Sequence, residues 1–174
     1  MDAGAAVVFG AAVMVTGLGS IAFHAWMTEW GGWADLVGAA GLLIYVVGCR
    51  ALSLDTRRLV GAIGVITGVT AILLWFAGTA NGKYLLYPWA AAAVLAEVKA
   101  SSRTGVERDR RWLAVALVLF IGGAAIWWQS RTGFPLCSAD SFWQWHGMWH
   151  ILVSGALVAL FAYWRSEVAL DEDC

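Results

Sequence analysis

Apolar runs recur along this chain, each close to the length needed to cross a bilayer, and that pattern leaves it few folds. Of its 174 residues 61% are hydrophobic and only 13% are charged, against roughly 25% charged in a soluble domain. A spanning helix takes about 20 mostly apolar residues, so the chain has room for six of them and little else. The segments run from Ala3 to Ala25, Asp35 to Cys49, Leu59 to Gly78, Tyr84 to Val98, Trp112 to Trp128 and Phe142 to Trp164. None alternates as a barrel strand does, and within lipid only helices and closed barrels satisfy their own backbone. The expected fold is all-α, a single polytopic transmembrane bundle of six helices over residues 1–174. No soluble catalytic domain fits beside it, so any chemistry lies within the bundle or at its rim.

The first run has no Lys or Arg ahead of it and no cleavage site set apart from the next segment, so it reads as a retained span rather than a signal peptide. Pro88 falls in the first turns of the fourth span, where a missing N–H does least harm. Glycines such as Gly38, Gly41, Gly48, Gly61, Gly64 and Gly68 suit close helix packing. Trp26, Trp30, Trp33, Trp127, Trp128, Trp143, Trp145 and Trp149 gather at span ends, where most are expected to anchor in the interface. Nine basic residues fall on one face: Arg50, Arg57, Arg58, Lys99, Arg103, Arg108, Arg110, Arg111 and Arg165, with only Lys83 and Arg131 on the other. The positive-inside rule makes the first face cytoplasmic and puts both termini there; the acidic Asp171, Glu172 and Asp173 do not enter that count. Cys49, Cys137 and Cys174 form no CxxC pair, and only Cys137 falls outside, so no intrachain disulfide is expected.

The chain has three histidines. His24 follows Ser20 by one helical turn and precedes Asp35 by a short connection, Trp26 to Ala34; His146 and His150 form a second one-turn pair in the last span. Residues four apart share a helix face, so His146 and His150 can grip one ion, and Ser20 can point its hydroxyl toward the same place as His24. Asp35 is expected at the depth of His24. Singly, each has an ordinary role: a lone histidine at an interface, Asp35 as a helix N-cap, Ser20 bonded back to its own helix. Jointly they place all the histidines at one membrane depth beside a serine and a carboxylate, and ionisable groups there are rare and usually functional. Three imidazoles with one position open are the ligand set of a hydrolytic zinc site.

The set Ser20-xxx-His24, Asp35 and His146-xxx-His150 resembles the signature of the alkaline ceramidases, within the CREST superfamily of transmembrane hydrolases that also holds the progestin and adipoQ receptors. The run Cys137, Ser141, Gln144, His146, Trp149 and His150 is similar to its bacterial ceramidase-like branch. The resemblance implies a hydrolase of ceramide-like amides with Zn2+ on His24, His146 and His150. It gives Asp35 the attacking water to orient or deprotonate, and Ser20 the oxyanion or that water to stabilise. The lipid substrate would come from the bilayer, from the outer leaflet. The family has seven spans, so this chain would be the seven-helix fold without its first helix. With that helix goes the acidic segment that binds calcium in the animal ceramidases; only Asp2 remains, and calcium regulation does not carry over. Three alternatives stay open: hydrolysis of another lipid amide or an ester, a receptor-like protein with a structural zinc, and a haem carrier with His24 as an axial ligand. No nucleic-acid role is indicated.

Overall fold

The structure, a computed structural model, describes residues 2–137, 142 and 144–169. Among these, five helices appear: α1 (Ala3–Trp26), α2 (Glu29–Arg50), α3 (Thr56–Ser101), α4 (Arg110–Gln129) and α5 (Trp145–Arg165). A two-residue strand β1 (Val106–Glu107) pairs antiparallel with β2 (Val168–Ala169). All five helices are long and apolar enough to cross a membrane, consistent with a multi-pass protein. The chain groups into two compact units, residues 1–103 and 104–174.

In the first unit Asp2 caps α1, its carboxylate accepting the Ala5 N–H at 2.8 Å and the Thr56 hydroxyl at 3.2 Å. The Ala5 amide is the main reason that its carboxyl titrates below the usual range. α1 stops at Met27, which takes a left-handed φ of 48° and donates its N–H to the Phe23 carbonyl. One residue on, Thr28 caps α2 by accepting the Gly31 N–H at 3.1 Å, and Glu29 places an anion in the first turn. α2 therefore begins six residues before the expected Asp35. Gly31 and Gly32, within the expected connection Trp26 to Ala34, lie in the first turn of α2. α1 packs so close that a Cβ on Gly31 would stand 2.8 Å from the Ala22 carbonyl oxygen, and only glycine fits there.

The same backbone-to-backbone contact continues along the pair. A Cβ on Gly19 would meet the Ala34 carbonyl at 2.6 Å, and one on Gly38 would meet the Thr16 Cα at 2.7 Å. The Thr16 hydroxyl donates to the Gly38 carbonyl at 3.0 Å, and the buried Tyr45 hydroxyl donates to the Ala5 carbonyl at 3.0 Å. The pairings 22 with 31, 19 with 34, 16 with 38 and 5 with 45 make α1 and α2 an antiparallel hairpin, its seam closed by small residues as lipid-embedded helices require.

α3 has 46 residues and would measure about 69 Å if straight, more than twice a hydrocarbon core of about 30 Å. It is not straight. Gly78 adopts φ 70° and ψ 163°, a region in effect reserved for glycine, and the chain folds back there. Leu74 and Gly82 would lie about 12 Å apart on a straight helix, yet a Cβ on Gly82 would come within 2.9 Å of Leu74. Both arms run along α2. The first sets Leu59 against Gly48 and its Ala71 carbonyl under the Trp33 indole N–H at 2.8 Å; the second sets Gly82 against Leu36 and Glu97 against Arg50. The stretches expected as a third and a fourth span thus both lie in α3, with one glycine rather than a loop between them. Pro88 sits in the interior of the second arm, not in its first turns.

Where α2 and the second arm end, Arg50 grips Glu97 through two bonds, Nε to Oε2 at 2.8 Å and an Nη2 to Oε1 bond at 3.0 Å. Ser101 donates to Glu97 at 3.0 Å, and Arg103 donates to the Arg50 carbonyl at 3.2 Å. In the second unit α4 and α5 form another antiparallel hairpin, with Gly123 under Trp149 and Gly155 against Leu119. One end is tied by the strand pair, the Arg108–Glu167 ion pair at 3.0 Å and the Asp109 N–H on Ser166. At the other, the Arg131 guanidinium lies 3.6 Å over Trp128 and 4.8 Å from the Phe134 ring.

Not every tryptophan anchors in the interface. Trp26 and Trp30 are exposed, but Trp33 of α2 is half-buried against α3 and set edge-on to Trp75, and Trp149 packs against Phe120 and Trp127. Ser141, Trp143, Asp171, Glu172, Asp173 and Cys174 lie outside the described residues.

Candidate metal centre

Ser20 and His24 occupy the last turns of α1, four residues apart on one face. Ser20 is half-buried and His24 is exposed, its ring tilted against Phe23 with centroids 5.1 Å apart. Asp35 is half-buried, two turns into α2. The antiparallel register fixes its level: the Asp35 backbone nitrogen would be 3.0 Å from a Cβ on Gly19. Asp35 therefore stands beside Ser20, about 6 Å deeper than His24, and not at the depth of His24 as the sequence suggests. The reason is the early start of α2, which carries Asp35 inward by roughly one turn. The capping role that Asp35 could have filled belongs to Thr28.

In the second unit, His146 and His150 are both half-buried in the first turns of α5, their rings set edge-on at 70° with centroids 5.1 Å apart. Two imidazoles at this separation can share an ion whose Zn–N bonds are about 2.0–2.1 Å. Neutral imidazole nitrogens are borderline donors suited to zinc. The donor set on α5 thus fits the metal. Gln144 occupies the N-cap of α5.

Each unit has a basic and a basic-poor end. In the first, Arg50, Arg57, Arg58, Lys99 and Arg103 lie where α2 and the second arm of α3 end and the first arm begins, while Lys83 follows the turn at Gly78. In the second, Arg108, Arg110, Arg111 and Arg165 lie at the strand-pair end and Arg131 at the other. His24 belongs to the basic-poor end of its unit, and so do His146 and His150.

Glu29 carries no weight in the sequence reading, yet it stands at the same end as His24 and accepts the Thr79 hydroxyl at 2.7 Å. The signal was present in Thr28–Glu29, an N-cap followed by an acidic first-turn residue. No family model, no curated protein and no solved structure matches the chain.

Proposed function

We propose that the protein is a zinc-dependent intramembrane hydrolase of lipid amides, of the alkaline ceramidase kind within the CREST superfamily. It would cleave ceramide-like N-acyl lipids to a fatty acid and a long-chain amine. The observation that carries this assignment is the position of the histidines: all three in the chain lie at the basic-poor ends of their units. The positive-inside rule turns both such ends toward the same, outer side of the membrane. In this topology α3 crosses twice, turning at Gly78, which gives six spans with both termini in the cytoplasm.

His24, His146 and His150 would hold the zinc. When bound, zinc polarises a carbonyl and makes water acidic near neutral pH, with a pKa of about 7. Asp35 accepts the proton of the attacking water and returns it to the amide nitrogen as the C–N bond breaks. Ser20 donates its hydroxyl to the carbonyl oxygen as negative charge gathers there. The shared level of Ser20 and Asp35 suits this division of labour, since one donates and the other accepts at the same depth. That level lies about 9 Å inside the end of α1.

The test is a panel of N-acyl lipid amides and the matching esters in liposomes. Fatty acid release from the amides is expected, with loss on chelation and recovery on adding zinc. Release from the esters alone would reassign the bond cleaved, and no release of either by zinc-loaded protein would contradict the hydrolase assignment.

A further inference from the structure

Beyond the end of α4 the chain makes a tight turn over residues 131–134, closed by the Phe134 N–H on the Arg131 carbonyl at 3.0 Å. Gly133 takes φ 86° there, the left-handed position that a type II turn gives to glycine. The turn brings Phe134 back beside Trp128, with ring centroids 6.0 Å apart at 71°. The Arg131 guanidinium lies against both rings, 3.6 Å from the Trp128 centroid and 4.8 Å from that of Phe134, with Trp127 at 5.4 Å. Stacking on three rings fixes the plane of the cation.

The end of α4 accounts for part of this arrangement. Nε donates to the Trp128 carbonyl at 3.2 Å, and a cation suits the negative end of the helix dipole. That bond uses one of five guanidinium N–H donors. The four on Nη1 and Nη2 meet no acceptor among the described residues. The arginines that buttress the fold differ: Arg50 and Arg108 are each bonded to a carboxylate, and Arg103 to a carbonyl. Nor does topology explain Arg131, because basic residues gather at the opposite end of its unit. It stands two residues past Gln129, the last residue of α4, where a spanning helix leaves the hydrocarbon and meets the headgroup layer.

We propose that Arg131 binds the phosphate of a bilayer phospholipid through Nη1 and Nη2. A planar fork matches two phosphate oxygens, and one already stacked loses little freedom on binding. The ligand is a phospholipid rather than free phosphate because Trp128, 51% exposed, sets apolar ring surface beside the fork, where a lipid's glycerol and upper chain would lie. The site belongs to the second unit alone and does not depend on the zinc chemistry.

The protein in neutral detergent is photolysed with rising amounts of a phospholipid carrying a diazirine next to its phosphate, and labelling is followed within residues 127–134. Saturable labelling is expected there, with half-saturation about tenfold or more higher in Arg131→Gln and intermediate in Arg131→Lys, which keeps the charge without the fork. Equal half-saturation in the parent and Arg131→Gln overturns the proposal. A diacylglycerol with the same diazirine needs no variant: it is expected to label the segment weakly and without saturation, and labelling equal to that by the phospholipid would assign the binding to the rings alone and overturn the phosphate site. Inorganic phosphate is expected not to compete at the lipid's own concentration; full displacement would make the ligand free phosphate and overturn the lipid assignment. Asp140, the loop's one carboxylate, lies outside the described residues. Asp140→Asn is expected to leave half-saturation unchanged, and a tenfold tightening would show that this carboxylate occupies the guanidinium, which overturns the site.

Discussion

Asp35→Asn will lower lipid amide turnover by about 10²–10⁴-fold, the span covered by a positioned general acid–base group, while zinc content and thermal stability stay near those of the parent. The substitution preserves the shape of the side chain and removes its capacity to take a proton. It leaves alone the contact that seats the residue, which is made by the backbone: Gly19 lies against Ala34 and the Asp35 amide. A kcat effect without loss of metal separates an acid–base role from a scaffold role. If zinc served only to hold the helices, Asp35→Asn would change no measured activity, and that outcome would move the protein to the receptor-like alternative.

The second large effect is on stability and lies far from the histidines. Glu97→Gln removes the partner of Arg50, whose side chain is only 10% exposed and is otherwise clasped bidentately by the carboxylate. Stranding one charge of a buried pair costs about 3–5 kcal/mol; here the pair sits at helix ends where water can reach in part, so about 3 kcal/mol is expected. Denaturant unfolding in detergent measures it. The double variant Arg50→Met, Glu97→Leu should recover most of the loss, because replacing both charges with apolar groups strands neither charge, and only the Ser101 hydroxyl loses its acceptor. A single variant as stable as the parent would show that the pair contributes nothing.

The helices were legible because hydropathy alone forces long apolar runs into them, and the histidines because an imidazole in such a run is conspicuous. The start of α2 lies at Thr28 and Glu29, inside the stretch expected as a connection; that Gly31 can sit in a helix with α1 backbone 2.8 Å from where its Cβ would be is a tertiary fact no local window contains. Placing Asp35 level with Ser20 depends on that start, so one missed cap displaced a candidate catalytic residue by about 6 Å, roughly one turn. The reversal at Gly78 was hidden too. A single glycine among many turns the chain with no polar loop to announce it. Nor does composition distinguish Gly41 from Gly38, although one borders open space and the other touches backbone.

The most direct test is zinc stoichiometry by elemental analysis of the purified parent protein and of His24→Ala, His146→Ala and His150→Ala. One zinc per parent chain is predicted, with each single variant losing it, because the proposed function has His24, His146 and His150 hold one ion together. A parent without zinc, or a His24→Ala variant that keeps a full equivalent as tightly as the parent, would contradict the shared site and with it the proposed chemistry.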